Sequence, residues 1–207
     1  MSEILRRLHD DHVNLLRVLA ILERQIAVMD RGDRPDWAIV HGVIEYLLTY
    51  PDLHHHPLED GILKRLQATN PSTAEAFSGL LAEHREQSDA LRRIAAATPQ
   101  LPPDASIAPQ GYAGLLRSFL VAQRDHVRRE EADFFPAAEC LLDETDWAEL
   151  DRQASAMADP LFGDRVEQGF RLLRRELAFL DAADRMVRRA EQLERSGIVP
   201  HGPAPLR

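Results

Sequence analysis

The sequence predicts an all-α protein, an antiparallel four-helix bundle followed by a C-terminal helical extension. Two observations carry that expectation. Leu, Ala, Arg and Glu dominate while aromatic residues and β-branched runs are scarce, a bias toward helix. Four long segments also repeat their apolar residues every three or four positions, with charges between. A chain of 207 residues is long enough to bury a sizeable core.

The first helix carries Leu5, Leu8, Leu15, Leu19, Leu22 and Ile26, and "DRGDRPD" with Gly32 and Pro35 ends it. The second runs from about Trp37 to Leu66, with Ile44, Leu48, Ile62 and Leu66 in phase. Pro51 and Pro57 fall inside it and predict a kink or an irregular turn. The third spans about Ser72 to Ala97, with Phe77, Leu80, Leu81, Leu91 and Ile94 apolar. A proline-rich loop, "TPQLPPDASIAPQG", separates it from the fourth, about Tyr112 to Leu142, with Leu115, Leu116, Phe119, Phe134 and Leu141. Beyond these, "ETDWAELDRQASAM" reads as a short helix capped by Thr145 or Asp146, and "DPLFGD" as a turn. A last helix runs from about Arg165 to Arg195 before a frayed tail. The expected division is therefore 1–142 for the bundle, 143–195 for the extension and 196–207 for the tail.

A net charge of −9, from 34 acidic and 25 basic residues, argues against a general nucleic-acid binder, which needs a basic face. No apolar run is long enough to cross a membrane, and the N-terminus lacks the apolar core of a signal peptide. The single cysteine, Cys140, suits a reducing compartment, so the expectation is a cytoplasmic protein with no nucleic-acid or membrane partner. Cys140 itself reads as a small core or boundary residue, since no base lies near it in sequence.

Each apolar stripe is broken at a core position by a metal-ligand residue type. The breaks are His12 in the first helix, His55 and Glu59 in the second, His84 in the third, and His126 and Glu130 in the fourth. The two His-x-x-x-Glu pairs put both side chains on one helical face, roughly 5–6 Å apart at Cβ. A lone histidine on an apolar stripe is more often a hydrogen-bonded core residue, and a single His-x-x-x-Glu more often a solvated pair. Their joint occurrence in four consecutive helices is what points to a metal. Buried carboxylates need a charge partner or an ion, and four imidazoles with two carboxylates suit a pair of iron ions bridged by both glutamates. In "HHHPLED", His55 has the phase of the stripe. His54 and His56 are turned about 100° to either side, which makes them rim or surface residues. His9 is the competitor of His12, while His41 and His201 are expected to face solvent. Asp11, Asp52 and Asp125 are candidates to orient the imidazoles.

The segments "LHDDHVNLL", "HHHPLED", "LLAEHREQ" and "RDHVRREEADFFP" resemble the hemerythrin-like family in its His-His-Glu cation-binding form, over roughly residues 1 to 142. The resemblance implies an antiparallel bundle around a non-haem di-iron centre. It places metal ligands at His12, His55, Glu59, His84, His126 and Glu130, and two iron ions per chain as the cofactor. Oxygen-carrying hemerythrins place two histidines four apart on the third helix and an aspartate five after the fourth-helix histidine. Here the corresponding residues are Leu80 or Ser88, and Glu131. The chain thus resembles the four-histidine, two-glutamate branch, which includes proteins linked to nitric oxide chemistry and iron-centre repair.

The expected function is binding or reduction of a small ligand (O2, NO or peroxide) at the iron pair. Catalysis and simple binding stay open as alternatives, as do iron storage or delivery for repair of iron centres. A ferritin-like oxidase is disfavoured because Glu-x-x-His occurs nowhere. A regulatory module sensing iron or oxygen is the reading from a different class. Its output would be the last helix, striped by Phe170, Leu173, Leu177, Leu180 and Met186; the plainer expectation is that this stripe covers the bundle or forms a homodimer.

Overall fold

Ser2 opens the first helix, α1 (Glu3–Asp30), with its side chain accepting from the Leu5 amide at 3.2 Å. The computed structural model that shows this describes residues 2–98, 111–154, 159–163 and 166–195. Gly32, at a φ of 76°, lets the chain leave α1, and Asp36 caps α2 (Trp37–Tyr50) through the amides of Ala38 and Ile39. A π-helical turn (Pro51–His55) joins α2 to α3 (His56–Thr69). The third expected helix is broken: a short α4 (Pro71–Ala74) and a 3-10 turn (Glu75–Phe77) precede α5 (Leu80–Ala97). The proline-rich loop lies outside the described residues except at its two ends. The fourth helix is α6 (Tyr112–Arg129), a second π-helical turn (Glu130–Phe134) and α7 (Phe135–Leu141).

The two π turns share one construction. In each, an amide donates five residues back, His56 to Pro51 and Phe135 to Glu130. In each, a proline stands two residues beyond the turn, Pro57 and Pro136. In a regular α-helix a proline ring clashes with the carbonyl four residues earlier. Those carbonyls belong to Leu53 and Ala132, both inside the widened turns, which make the room. Irregular winding is thus present where Pro51 and Pro57 predict it, and also at Glu130, where the helical period runs on without a break.

Cross-helix pairs fix the directions. Along α1, His9 meets Glu131, Glu23 meets Arg124 and Asp30 meets Arg117, so α6 descends as α1 rises. Asp60 meets His84 and Asp52 meets Arg92, which sets α5 antiparallel to α3. Glu83 meets Arg129 while Thr98 meets Tyr112, which does the same for α5 and α6. The helices pack as α1 on α2, α2 on α5, α5 on α6 and α6 on α1, closing the bundle. Its apolar interior falls into two clusters. One includes Leu15, Leu19, Leu22, Val43, Leu47, Leu116 and Phe119. The other includes Leu5, Leu8, Leu58, Ile62, Leu66 and Phe134. The layer between them is polar.

Two helices follow the bundle. α8 (Glu144–Gln153) is capped by Asp143, not by Thr145 or Asp146; Asp143 accepts from both of those amides, and the Asp146 side chain accepts from the Asp143 amide. The other oxygen of Asp146 pairs with Arg65 on α3. The turn expected at "DPLFGD" is present over residues 159–163, held by Asp159 accepting from the Leu161 and Phe162 amides. α9 (Arg171–Arg195) begins later than Arg165, after a 3-10 turn at Gln168–Phe170. Phe170, Leu173 and Leu177 join the first apolar cluster, whereas Met186 and Val187 are exposed, so among the described residues the apolar cover lies on the first half of the helix. Cys140 is exposed rather than a core or boundary residue, because it lies on the outer side of α7 while Phe135 and Ala138 face inward. The tail and His201 lie outside the described residues, and His41 faces solvent. Among the described residues, no helix is long and apolar enough to cross a membrane.

Candidate metal centre

The polar layer consists of the residues that break the four stripes. His12, His55, Glu59, His84, His126 and Glu130 are all buried, Glu59 completely. α1 supplies His12, the first π turn and α3 supply His55 and Glu59, α5 supplies His84, and α6 with the second π turn supplies His126 and Glu130.

Each of the four histidines meets a carboxylate at Nδ1. His12 pairs with Glu131 at 2.7 Å, His55 with Asp11 at 3.3 Å, His84 with Asp60 at 2.8 Å and His126 with Glu83 at 3.1 Å. A neutral imidazole that donates Nδ1–H keeps its lone pair on Nε2. All four Nε2 atoms face the middle of the layer. Nδ1 is thus held by the arrangement that orients metal-bound histidines in other proteins. Two of the acids are anchored in turn: Glu83 accepts from Arg129 at 2.6 and 2.7 Å, and Asp11 accepts from the Tyr50 hydroxyl at 3.3 Å.

The two glutamates reach across the layer. Oε1 of Glu59 lies 3.2 Å from Nε2 of His55 and 3.5 Å from that of His12, while its Oε2 lies 3.5 Å from Nε2 of His84. Oε2 of Glu130 lies 3.3 Å from Nε2 of His12, and its Oε1 lies 3.1 Å from that of His126 and 3.3 Å from that of His84. Each carboxylate therefore turns one oxygen to the His12 side and the other to the His84 side. Despite this proximity, both oxygens of Glu59, Oε2 of Glu130 and Nε2 of His126 have no aligned hydrogen-bond partner. Buried polar atoms are nearly always satisfied, and the Nε2 atoms of His12 and His55 face one another at 3.1 Å. A cation among these atoms would satisfy them all, so the donor set fits a metal.

The electrostatics agree. Burial is the largest effect on His12 and opposes its charged form, but pairing with Glu130, Glu131 and Glu59 outweighs it and pushes the imidazole up to about 11. Burial is likewise overcome at His84, raised to about 10 by Asp60 and Glu130, and at His55, raised to about 9 by Glu59 and Asp11. For Glu59, burial and the neighbouring Glu130 favour the neutral acid, yet His55 and His12 hold it down at about 2. The layer is thus built to hold positive charge against two carboxylates.

Several expectations are corrected. His56 is buried, not a rim residue; its ring stacks on that of His84, with centroids 4.4 Å apart and planes 12° apart. Burial first, and then the neighbouring His84, hold its proton affinity well below the ordinary value. The reason is the wide buried arc of α3, flanked by α5, which also covers Leu63. The spacing could have revealed it, since His56 stands three residues before Glu59 and i, i+3 shares a face as i, i+4 does. Of the acids expected to orient imidazoles, only Asp11 does so. Asp52 pairs with Ser88 and Arg92, and Asp125 with Arg128. Glu131, Asp60 and Glu83 take the other places. Glu131 also receives the exposed His9, which stays outside the layer.

Fold and site together define a helical-bundle protein with a buried histidine–carboxylate cluster that could hold a metal. The chain belongs to the hemerythrin family: the model described as "Hemerythrin HHE cation binding domain" matches residues 3–138, from α1 into α7. Neither the curated proteins nor the solved structures compared with the chain gave a significant match.

Proposed function

We propose that the chain holds two iron ions, each shared between Glu59 and Glu130, with His12 and His55 as the imidazoles of one position and His84 and His126 as those of the other. The observation that carries this reading is the division of each carboxylate, one oxygen toward each histidine pair, with oxygens left unsatisfied in a buried layer. Mixed imidazole and carboxylate ligation suits iron, with manganese and zinc as the competitors to be measured. Bound there, an iron pair would supply electrons and open coordination positions to a small ligand, O2, NO or peroxide. The protein's own part is to fix the four rings through Glu131, Asp11, Asp60 and Glu83, and to keep bulk water out of the layer between two apolar clusters. With its single cysteine the chain suits a reducing compartment, and the cytoplasm is the proposed location.

The exposed Met186 and Val187 on the second half of α9 favour an additional role for that helix, self-association or output from a sensing centre. Sedimentation of the purified chain checks the homodimer directly.

The test of function is anaerobic loading with ferrous iron followed by exposure to O2 or NO. The expected result is two irons per chain and a visible absorption change with each gas. Iron uptake without any spectral response would leave storage or delivery as the function, and no uptake would remove the iron reading.

A further inference from the structure

We propose that His56 is a fifth imidazole donor of the centre, on the side of His84 and His126. The proposal rests on the two-metal reading above and adds a ligand that neither the four-histidine pattern nor the two His-x-x-x-Glu pairs contains.

Three observations carry it. First, donor atoms of His56, Glu59, His84 and His126 all lie within 4.8 Å of one another, as do those of His12, His55 and Glu59 on the other side. Second, Nδ1 of His56 is buried and has no hydrogen-bond partner. The four other histidines each commit Nδ1 to a carboxylate, and no such acid is paired with His56. A fully buried imidazole nitrogen without a partner is costly unless something else receives its lone pair. Third, the chain places His56 directly after a π-helical turn. Its amide closes that turn by donating to Pro51, and both His55 and His56 are buried.

The His56 ring lies flat against that of His84. Two parallel rings cannot both aim at one ion, so ligation requires the His56 ring to turn out of the stack. Room for that turn lies beside it, in a cavity of about 350 Å³ lined by His56, Asp52, Asp60, Leu81, His84 and Ser88 among others. With His56 engaged, one position has three imidazoles and the other two.

The test uses the full chain and cobalt(II) alone, whose visible bands report coordination number. The parent is titrated beside His56→Gln, His56→Gly and, as a neighbour control, His54→Gly. Loss of an outer-shell partner typically costs about 10–100-fold in metal affinity, and loss of a direct donor should cost at least as much at one of the two positions. Binding of one cobalt should therefore weaken at least tenfold in both His56 variants, with stronger visible bands, while His54→Gly titrates like the parent. Free imidazole, admitted through the adjoining cavity, should restore the bands of His56→Gly. Parent-like titration of both His56 variants would overturn the proposal. So would a loss that imidazole does not restore in a variant of unchanged helicity, since the ring would then act only as packing. A parent that binds no cobalt would instead remove the two-metal reading itself.

Discussion

Glu59→Gln is the sharpest perturbation of the layer, because it keeps the shape of the side chain and removes its charge. Glu59 is fully buried and faces His12, His55 and His84 at 3.2–3.5 Å. A carboxylate held at about 2 instead of its ordinary 4.5 corresponds to about 3 kcal/mol of stability, at ~1.4 kcal/mol per pH unit. Removing one partner from a buried ion pair typically costs about 3–5 kcal/mol, which agrees. For a chain of this size that loss lowers the melting temperature by roughly 6–12 °C. The metal-loaded protein should fall further, because the parent gains binding energy that the variant cannot. Differential scanning calorimetry with chelator and with ferrous iron measures both terms. A variant that melts within a degree or two of the parent in chelator, and is stabilised equally by iron, would refute the argument that Glu59 is the charge partner of these imidazoles and a metal ligand.

Asp60→Asn should leave the fold intact and weaken metal binding by about 10–100-fold, measured by competition with a chromophoric chelator, because the amide no longer accepts well from Nδ1 of His84. In the metal-free chain His12, His84 and His55, raised to about 11, 10 and 9, stay protonated when the unfolded chain has released its protons. Their contribution is complete below about pH 6.5 and is lost as the pH rises through 9 to 11. The contribution of Glu59 is complete above 4.5 and lost as the pH falls toward 2. His56, held low by burial, takes stability away as the pH falls below about 6.5, so metal-free stability should peak near pH 6.5 in denaturant titrations; a rise from 6.5 to 9 would contradict these shifts. Leu177→Ala should destabilise by about 2–5 kcal/mol, since Leu177 is buried in the first apolar cluster. Met186→Ala, 74% exposed, should cost almost nothing in the monomer; a change in sedimentation would then report self-association.

The bundle was legible in the sequence because each stripe repeats at helical period over several turns, a signal that tertiary context rarely overrides. The six central side chains were legible for the same reason: a polar residue in an apolar stripe is conspicuous. What the stripes could not show is local winding. The π turn at Glu130 has no sequence mark except Pro136, six residues on, and within it Glu131 reaches His12 on another helix. Partners such as Asp60 for His84 and Glu83 for His126 depend on how neighbouring helices are staggered, which no single stripe contains. His56 stands about 100° from the stripe of His55 and Glu59, and its burial, like that of Leu63 seven residues on, depends on the helices packed around α3, which the stripe does not contain.

The most direct measurement is the anomalous scattering of crystals grown from iron-loaded protein. Two iron peaks between Glu59 and Glu130, roughly 3.5–4 Å apart as in two-metal sites, with His12 and His55 at one and His84 and His126 at the other, is the predicted result. A single peak, or peaks away from the two glutamates, would contradict the account.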